Sequence, residues 1–283
     1  MVKRTNKDNV EYMQQISLKI EEIQEVSLRI LKRITSVCEE HGFRYILAFG
    51  TLIGAIRHKG FIPWDDDVDI LMPRPDYERF ILYLTNHPIE DLKVFNWKCV
   101  KNYPLGITRI CDMRYRVLEN NFIDFDHGIF VDVYPVDGLA NSYNDAKKAF
   151  DRTAKERDEL FMSAIKKYRE IRLVEFFKNP RLTLSKLRRR ILGICYYQRK
   201  LEEKVIKYAF EDYEYVGVPN WNWARTVFER EWFNERVKVP FENDEFYITK
   251  HYDKMLREEY GDYMQLPPIE KRVYHHGYIA YRR

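Results

Sequence analysis

From residue 11 to 41, Ile16, Ile20, Ile23, Ile30, Ile34 and Val37 recur at helical spacing and stop at Gly42, which predicts an amphipathic helix with glycine just past its end. The short apolar, aromatic stretch FRYILAF (43–49) predicts a buried strand. GTLIGAIRHKG follows with a helical pattern, read as opening at Thr51 and closing at Gly60. DVDILM (67–72) reads as a second strand ended by Pro73 and Pro75, with Asp76 placed to cap a helix to about Asn86. Strand-like runs come near 92–100, 105–111 and 114–119, and GIFVDVYP (128–135) is the clearest later strand. Residues 142 to about 176 predict a long exposed helix and 182–212 another; the last third is rich in aromatic residues. No internal repeat or low-complexity segment interrupts the chain. Together these elements predict an α/β (α+β) fold: a mixed sheet core with flanking helices, spanning 1–140, then a helical segment over 141–212, then an aromatic C-terminal part over 213–283.

Composition narrows the class. With 283 residues, 45% of them hydrophobic, a sizeable core is expected and disorder is not. Net charge is only +4, but residues 178–207 hold ten Lys/Arg against two Glu, so this stretch is +8 and the rest about −4. The first fifteen residues are polar and charged, which speaks against a secretory signal, and no apolar window is long enough to span a bilayer. Cys38, Cys99, Cys111 and Cys195 lack zinc or CxxC spacing and read as reduced thiols of a cytoplasmic protein.

The chemistry concentrates in FIPWDDDVDILMP (61–73), with four aspartates in five positions. On a strand, Asp67 and Asp69 share one face, about 6.6 Å apart at Cα, while Val68, Ile70 and Met72 take the other. Two carboxylates ~4 Å apart repel by roughly 4 kcal/mol at an effective dielectric near 20, so a cation is expected between them. Hard oxygen ligands favour Mg²⁺ or Mn²⁺. The alternation returns in IFVDVYP, where Asp132 joins as a third carboxylate if the two strands are neighbours. Asp65, Asp66, Asp112, Asp124 and Asp126 read as caps, turns or surface residues. Gly50 and Thr51, between a strand and a helix, suit an anion, phosphate above all, although this is not a Walker loop.

Strand, Gly-Thr, helix, D-h-D and a third Asp on a neighbouring strand resemble the nucleotidyltransferase superfamily. GTLIGAIRHKGFIPWDDDVDILMPRPDYERF resembles, more closely, the LicD family of phosphotransferases, related to fukutin and the fukutin-related protein; FVDVYPVDG (130–138) and YGDYMQLPPIEKRVYHHG (260–277) extend the likeness from about residue 40 to the C-terminus. RICDMRYRV (109–117) departs from it, with Arg114 and Tyr115 where many relatives carry a threonine. The resemblance implies transfer of a phospho-alcohol, phosphocholine first among them, from a CDP-activated donor to a hydroxyl of a cell-surface glycan or its lipid-linked precursor, with release of CMP. Asp67 and Asp69 would hold the metal, Gly50 and Thr51 a donor phosphate, and Asp132 would complete the metal site or take the proton of the attacking hydroxyl.

Arg57, Lys59, Trp64, Arg109, Lys271, Arg272, His275 and His276 are the further candidates for substrate contact. Arg57, His58 and Lys59 also suit a helix C-terminus, and Trp64 could equally wedge its loop against the core. The basic stretch 181–200 reads as a helix with Leu184, Leu187, Ile191, Ile194 and Cys195 on one side. Such a helix can lie on an anionic inner leaflet or pack within the molecule; without a recognition motif, nucleic acid is not an expected partner. Two other functions compete: a nucleotidyltransferase releasing pyrophosphate, and a non-catalytic membrane-docking scaffold.

Overall fold

The computed structural model describes residues 17–119, 122–169, 178–221, 225–273 and 277–283. Helix α1 (Ile20–Glu40) lays Ile23, Val26, Ile30, Leu31, Ile34 and Cys38 on the sheet and ends with Gly42 at φ +67°, the left-handed position glycine favours. The part of the expected helix before residue 17 lies outside the described residues. The strand expected over 43–49 is only Ile46–Leu47 (β1), because the chain turns at Phe49 (φ +49°) into α2, Phe49–Ile53. Helix α2 continues as a π-helical turn, Gly54–His58, and closes at Lys59 (φ +61°), not at Gly60. Strand β2 is Asp69–Pro73, so Asp67 precedes the strand. Asp76 does not cap α3 (Arg74–Asn86); it sits in the first turn, and its carboxylate accepts from Arg44 at 2.6 Å.

The later strands are β3 (Leu92–Phe95), β4 (Thr108–Asp112), β5 (Tyr115–Glu119) and β6 (Ile129–Ala140), the last buried along all twelve residues. The order is β1-β2-β6-β4-β3, with β2 and β6 parallel and the other pairs antiparallel. Pairing with β2 on one edge and β4 on the other makes β6 the centre of the sheet, which is why it is buried on both faces, its aspartates included. Its far end pairs with β7 (Tyr215–Gly217), which carries β8 (Phe228–Glu229), making seven strands.

The long helix expected over 142–176 breaks into α4 (Tyr143–Ala149), α5 (Ala154–Ala164) and α6 (Lys166–Arg169), with residues 170–177 outside the described set. The helix expected over 182–212 is α7 (Pro180–Leu192) and α8 (Ile194–Val205), separated by Gly193 at φ +74°, ψ 168°. Ile194 belongs to α8 and is buried, whereas Cys195 is exposed. In α7, Thr183, Lys186 and Arg189 are buried, and Leu184, Leu187 and Ile191 face solvent, so of the two readings of the basic stretch its apolar side does not pack within the molecule.

The hairpin of β9 (Arg236–Phe241) and β10 (Asp244–Thr249), helix α9 (Tyr252–Tyr260) and β11 (Tyr278–Arg282) complete the chain, β11 pairing antiparallel with β5. One cluster of buried side chains runs from Ile23 to Ala280, uniting α1, the sheet, the hairpin and α9. Among the described residues no helix is long and apolar enough to cross a membrane.

Candidate active site

The acidic residues meet where β2 enters the sheet. Parallel pairing sets Asp69 beside Asp132, and the Asp132 N–H donates to Val68 O at 2.9 Å. Thr51 Oγ1 accepts from the Asp69 N–H at 2.9 Å, and Asp69 O accepts from the Ala48 N–H at 3.0 Å, so α2 and β2 are fixed to each other at this point. Gln24, on α1, reaches the preceding loop and donates to Asp65 O at 2.6 Å. Burial, then the charges of Asp67, Asp132 and Asp65, push the Asp69 carboxyl well above the usual carboxylate range, opposed by a hydrogen bond from Tyr134. Asp69 Oδ1 is buried without a hydrogen-bond partner among the described residues.

An orphaned carboxylate oxygen among like charges is the environment that a divalent cation relieves, and an all-oxygen donor set suits Mg²⁺ or Mn²⁺. The tightest grouping of possible ligand atoms is nevertheless Asp65, Asp66 and Asp67, one carboxylate oxygen from each lying within 4.8 Å of the others. Acidic trios of this kind are common on surfaces. The buried, charge-crowded Asp69 is therefore the stronger physical indication, with Asp67 connecting the two groupings. The cap or surface role expected of Asp65 and Asp66 is corrected: both lie in the cluster, Asp66 fully buried. Asp112, Asp124 and Asp126 do have structural roles, pairing with Arg29 and Arg114, with Arg116, and with Arg283.

Gly50 and Thr51 differ from the expected phosphate seat. Helix α2 opens at Phe49, with Thr51 in its first turn, and the Thr51 hydroxyl braces Asp69. A Cβ at Gly50 would lie 2.5 Å from Asp65 Oδ2, so what approaches this glycine is a carboxylate of the cluster. Arg109 also differs: its Nε donates to Asp132 Oδ1 at 3.0 Å, its Nη1 to Glu119 at 2.5 Å, and its guanidinium lies 3.7 Å from the Phe130 ring centroid. It orients Asp132 from below and is committed to protein groups. Burial raises the Glu119 carboxyl, but Arg109 and a hydrogen bond from His127 outweigh this and bring it down to about 2. Arg114, at the family departure, is paired with Asp112 and Asp91.

The remaining cations divide. Arg57 donates to the carbonyls of Tyr263 (2.5 Å) and Gln265 (3.5 Å), and Arg272 to that of Pro267 (2.8 Å). Neither has a carboxylate partner among the described residues. Burial, then the charge of Arg272, lower Arg57, and burial, then Arg57, lower His58. Trp64, immediately before the acids, packs partly buried against the core, 6.2 Å from His58 and 5.7 Å from the Arg272 guanidinium. Arg57, His58, Trp64 and Arg272 thus form a basic and aromatic group, joined to the acidic cluster through the Trp64–Asp65 link of the chain. Lys59 and Lys271 are exposed, and the backbone of Lys59 closes α2. His275 and His276 lie outside the described residues.

Three neighbours escaped the sequence reading. Tyr134 was legible, since it shares a β6 face with Asp132 two positions away. Glu259 and Tyr260 had no local signal: only the docking of α9 brings them in. The charges of Glu259, Asp69, Asp65 and Asp67 act on Tyr260 after burial has raised it. Burial pushes Glu259 up to about 7 against hydrogen bonds with Thr226 and Tyr260, and its Oε2 is buried without a partner among the described residues.

The sequence model described as LicD/FKTN/FKRP, nucleotidyltransferase domain, matches residues 42–156, which hold β1 through α4 and every aspartate of the cluster. Lipopolysaccharide cholinephosphotransferase LicD of Haemophilus influenzae is 32% identical over 270 residues, 93% of this chain and 98% of the relative. Uncharacterised proteins of Rickettsia typhi and Rickettsia prowazekii match short stretches: 36% over 52 residues (18% of this chain, 17% of the relative) and 40% over 42 residues (15% and 16%).

Proposed function

Since the chain belongs to the LicD family, we propose that it transfers phosphocholine from CDP-choline to a hydroxyl of a cell-surface glycan or its lipid-linked precursor, at the inner face of a membrane, with release of CMP. The observation that carries this reading is Asp69, buried beside Asp132 among like charges with one oxygen unpartnered among the described residues. In the transfer, the acceptor oxygen bonds to the phosphorus that carries choline, the bond from that phosphorus to the CMP oxygen breaks, and the hydroxyl proton passes to a carboxylate of the cluster, Asp132 being the candidate, and from there to water. Asp67, Asp69 and Asp132 are the residues that would hold Mg²⁺ or Mn²⁺, which when bound neutralises charge on the diphosphate and the departing CMP. Arg57 and Arg272 supply positive charge where the donor phosphates would extend, and Trp64 offers a ring face to a quaternary ammonium. Arg109 keeps Asp132 in place. Gly50 and Thr51 shape the acidic loop and the start of β2.

The test incubates the protein and Mg²⁺ with CDP-choline, CDP-ethanolamine, CDP-ribitol and CDP-glycerol in the presence of a glycan acceptor, and measures CMP. Asp67→Asn and Asp69→Asn are each expected to lower CMP release by about 100-fold or more. Mg²⁺ should raise the melting temperature of the parent and leave that of Asp69→Asn unchanged. Pyrophosphate in place of CMP would favour a nucleotidyltransferase. Parent-like turnover by Asp69→Asn would refute the assigned role.

A further inference from the structure

Helix α7 is built inside out. Three polar side chains at intervals of three, Thr183, Lys186 and Arg189, are buried against the protein, and Arg189 pairs with Glu159 of α5 at 2.9 Å. The outward side carries Leu184, Leu187 and Ile191, spaced three and four apart on a single stripe, with exposures of 57%, 42% and 72%. Arg181 and Arg188 are exposed beside the stripe; Lys178 and Arg190 are exposed on the same helix or just before it. The helix is firmly ended: the Asn179 side chain accepts from the Leu182 N–H at 3.1 Å at one end, and Gly193 turns the chain at the other.

We infer that this outward stripe docks on an anionic lipid surface, with Leu184, Leu187 and Ile191 entering the acyl boundary and Arg181 and Arg188 meeting lipid phosphates. An apolar stripe between cations is the arrangement by which interfacial helices combine apolar burial with attraction to acidic headgroups. Charge decides against a second copy of the chain. A two-fold contact through this stripe would bring the same arginines of both copies together, and residues 178–207, at +8, offer little negative charge to offset them. The polar underside explains how the stripe can stay outward: burying it would require stripping Lys186 and Arg189 from their present surroundings. The surface does not depend on which donor the active site uses.

The test is flotation of the full chain with vesicles of phosphatidylcholine alone and of phosphatidylcholine mixed with phosphatidylglycerol, at low and high salt. The parent should float with the mixed vesicles, less at high salt. Replacing the stripe (Leu184→Ser, Leu187→Ser, Ile191→Ser together) should reduce partition roughly 100-fold. Arg181→Glu and Arg188→Glu should each reduce it about fivefold or more. Leu82→Ser, at an exposed apolar position on α3, should change nothing. Circular dichroism and melting temperature would confirm that all variants fold. Failure of the parent to float, binding that ignores both sets of substitutions, or a lipid-free dimer that the triple serine variant dissociates in sedimentation velocity would overturn the inference.

Discussion

Asp132 and Asp137 lie five residues apart on one buried strand, face opposite ways, and are each held by an arginine. Asp137 takes a two-pronged contact from Arg74 (2.8 and 2.7 Å), which also meets Glu202, while Asp132 takes Arg109, which also meets Glu119. Removing one member of such a triad leaves a buried charge without its partner. Arg109→Ala is expected to destabilise the protein by about 3 to 5 kcal/mol in urea titration. It should also abolish CMP release, because the orientation of Asp132 is lost. Thr51 is a neutral counterpart: Thr51→Val leaves the buried Asp69 N–H unsatisfied and is expected to cost about 1 to 3 kcal/mol, whereas Thr51→Ser keeps the acceptor and should stay within about 1 kcal/mol of the parent. Of these partnerships the sequence disclosed Asp69 and Asp132, through alternation with apolar neighbours, and not Asp137. It did not disclose their arginines, because a partner across a strand pair is fixed by register, which no local pattern states.

At the scale of elements, patterns were legible where one face is buried and one is not. Helix α1 and its glycine stop were readable in this way; β6, buried on both faces, was readable instead by the alternation of Ile129, Val131 and Val133 with Asp132. Breaks were harder to see. Phe49 and Lys59 adopt left-handed conformations that their residue types do not advertise, so both ends of α2 were misplaced, and with them the position of Thr51. For α7 the sequence left two directions open, because periodicity reveals that a helix has an apolar stripe but not which way the stripe points. The single predicted helix over 182–212 contained its own punctuation in Gly193, whose φ +74°, ψ 168° belongs to a region that is essentially reserved for glycine. Gly193→Ala is accordingly expected to destabilise the α7–α8 pair by about 1 to 3 kcal/mol, measured as a lower melting temperature, although a Cβ there would meet nothing within 4 Å. Strain, not crowding, would be the cause.

For the whole molecule, burial of acids sets how stability follows pH. Glu259, raised from 4.5 to about 7, and Asp69, raised by burial and its neighbours, bind protons more readily folded than unfolded. Their contribution is complete below the unfolded value and is lost as pH climbs through the folded one. Glu119, brought down to about 2, acts oppositely: its contribution is present above the ordinary glutamate range and disappears as pH falls toward about 2. Glu259→Gln removes one of the first kind. In metal-free buffer the variant should match the parent near pH 4, below the unfolded value, and exceed it at about pH 8, by about 3 kcal/mol at most, as measured by denaturant titration. A parent that stays level with the variant across that range would show that Glu259 is ionised without penalty. The same strand that closes the chain has a reach beyond its own edge. Tyr278 of β11 is in register with Glu119, Glu119 grips Arg109, and Arg109 grips Asp132, while Ala280 O accepts from the Leu18 N–H ahead of α1. Trimming the final residues, or fusing a bulky tag onto them, would therefore pull on a relay that finishes at Asp132 of the acidic cluster, and an inactive preparation made that way would say little about the chemistry of that cluster.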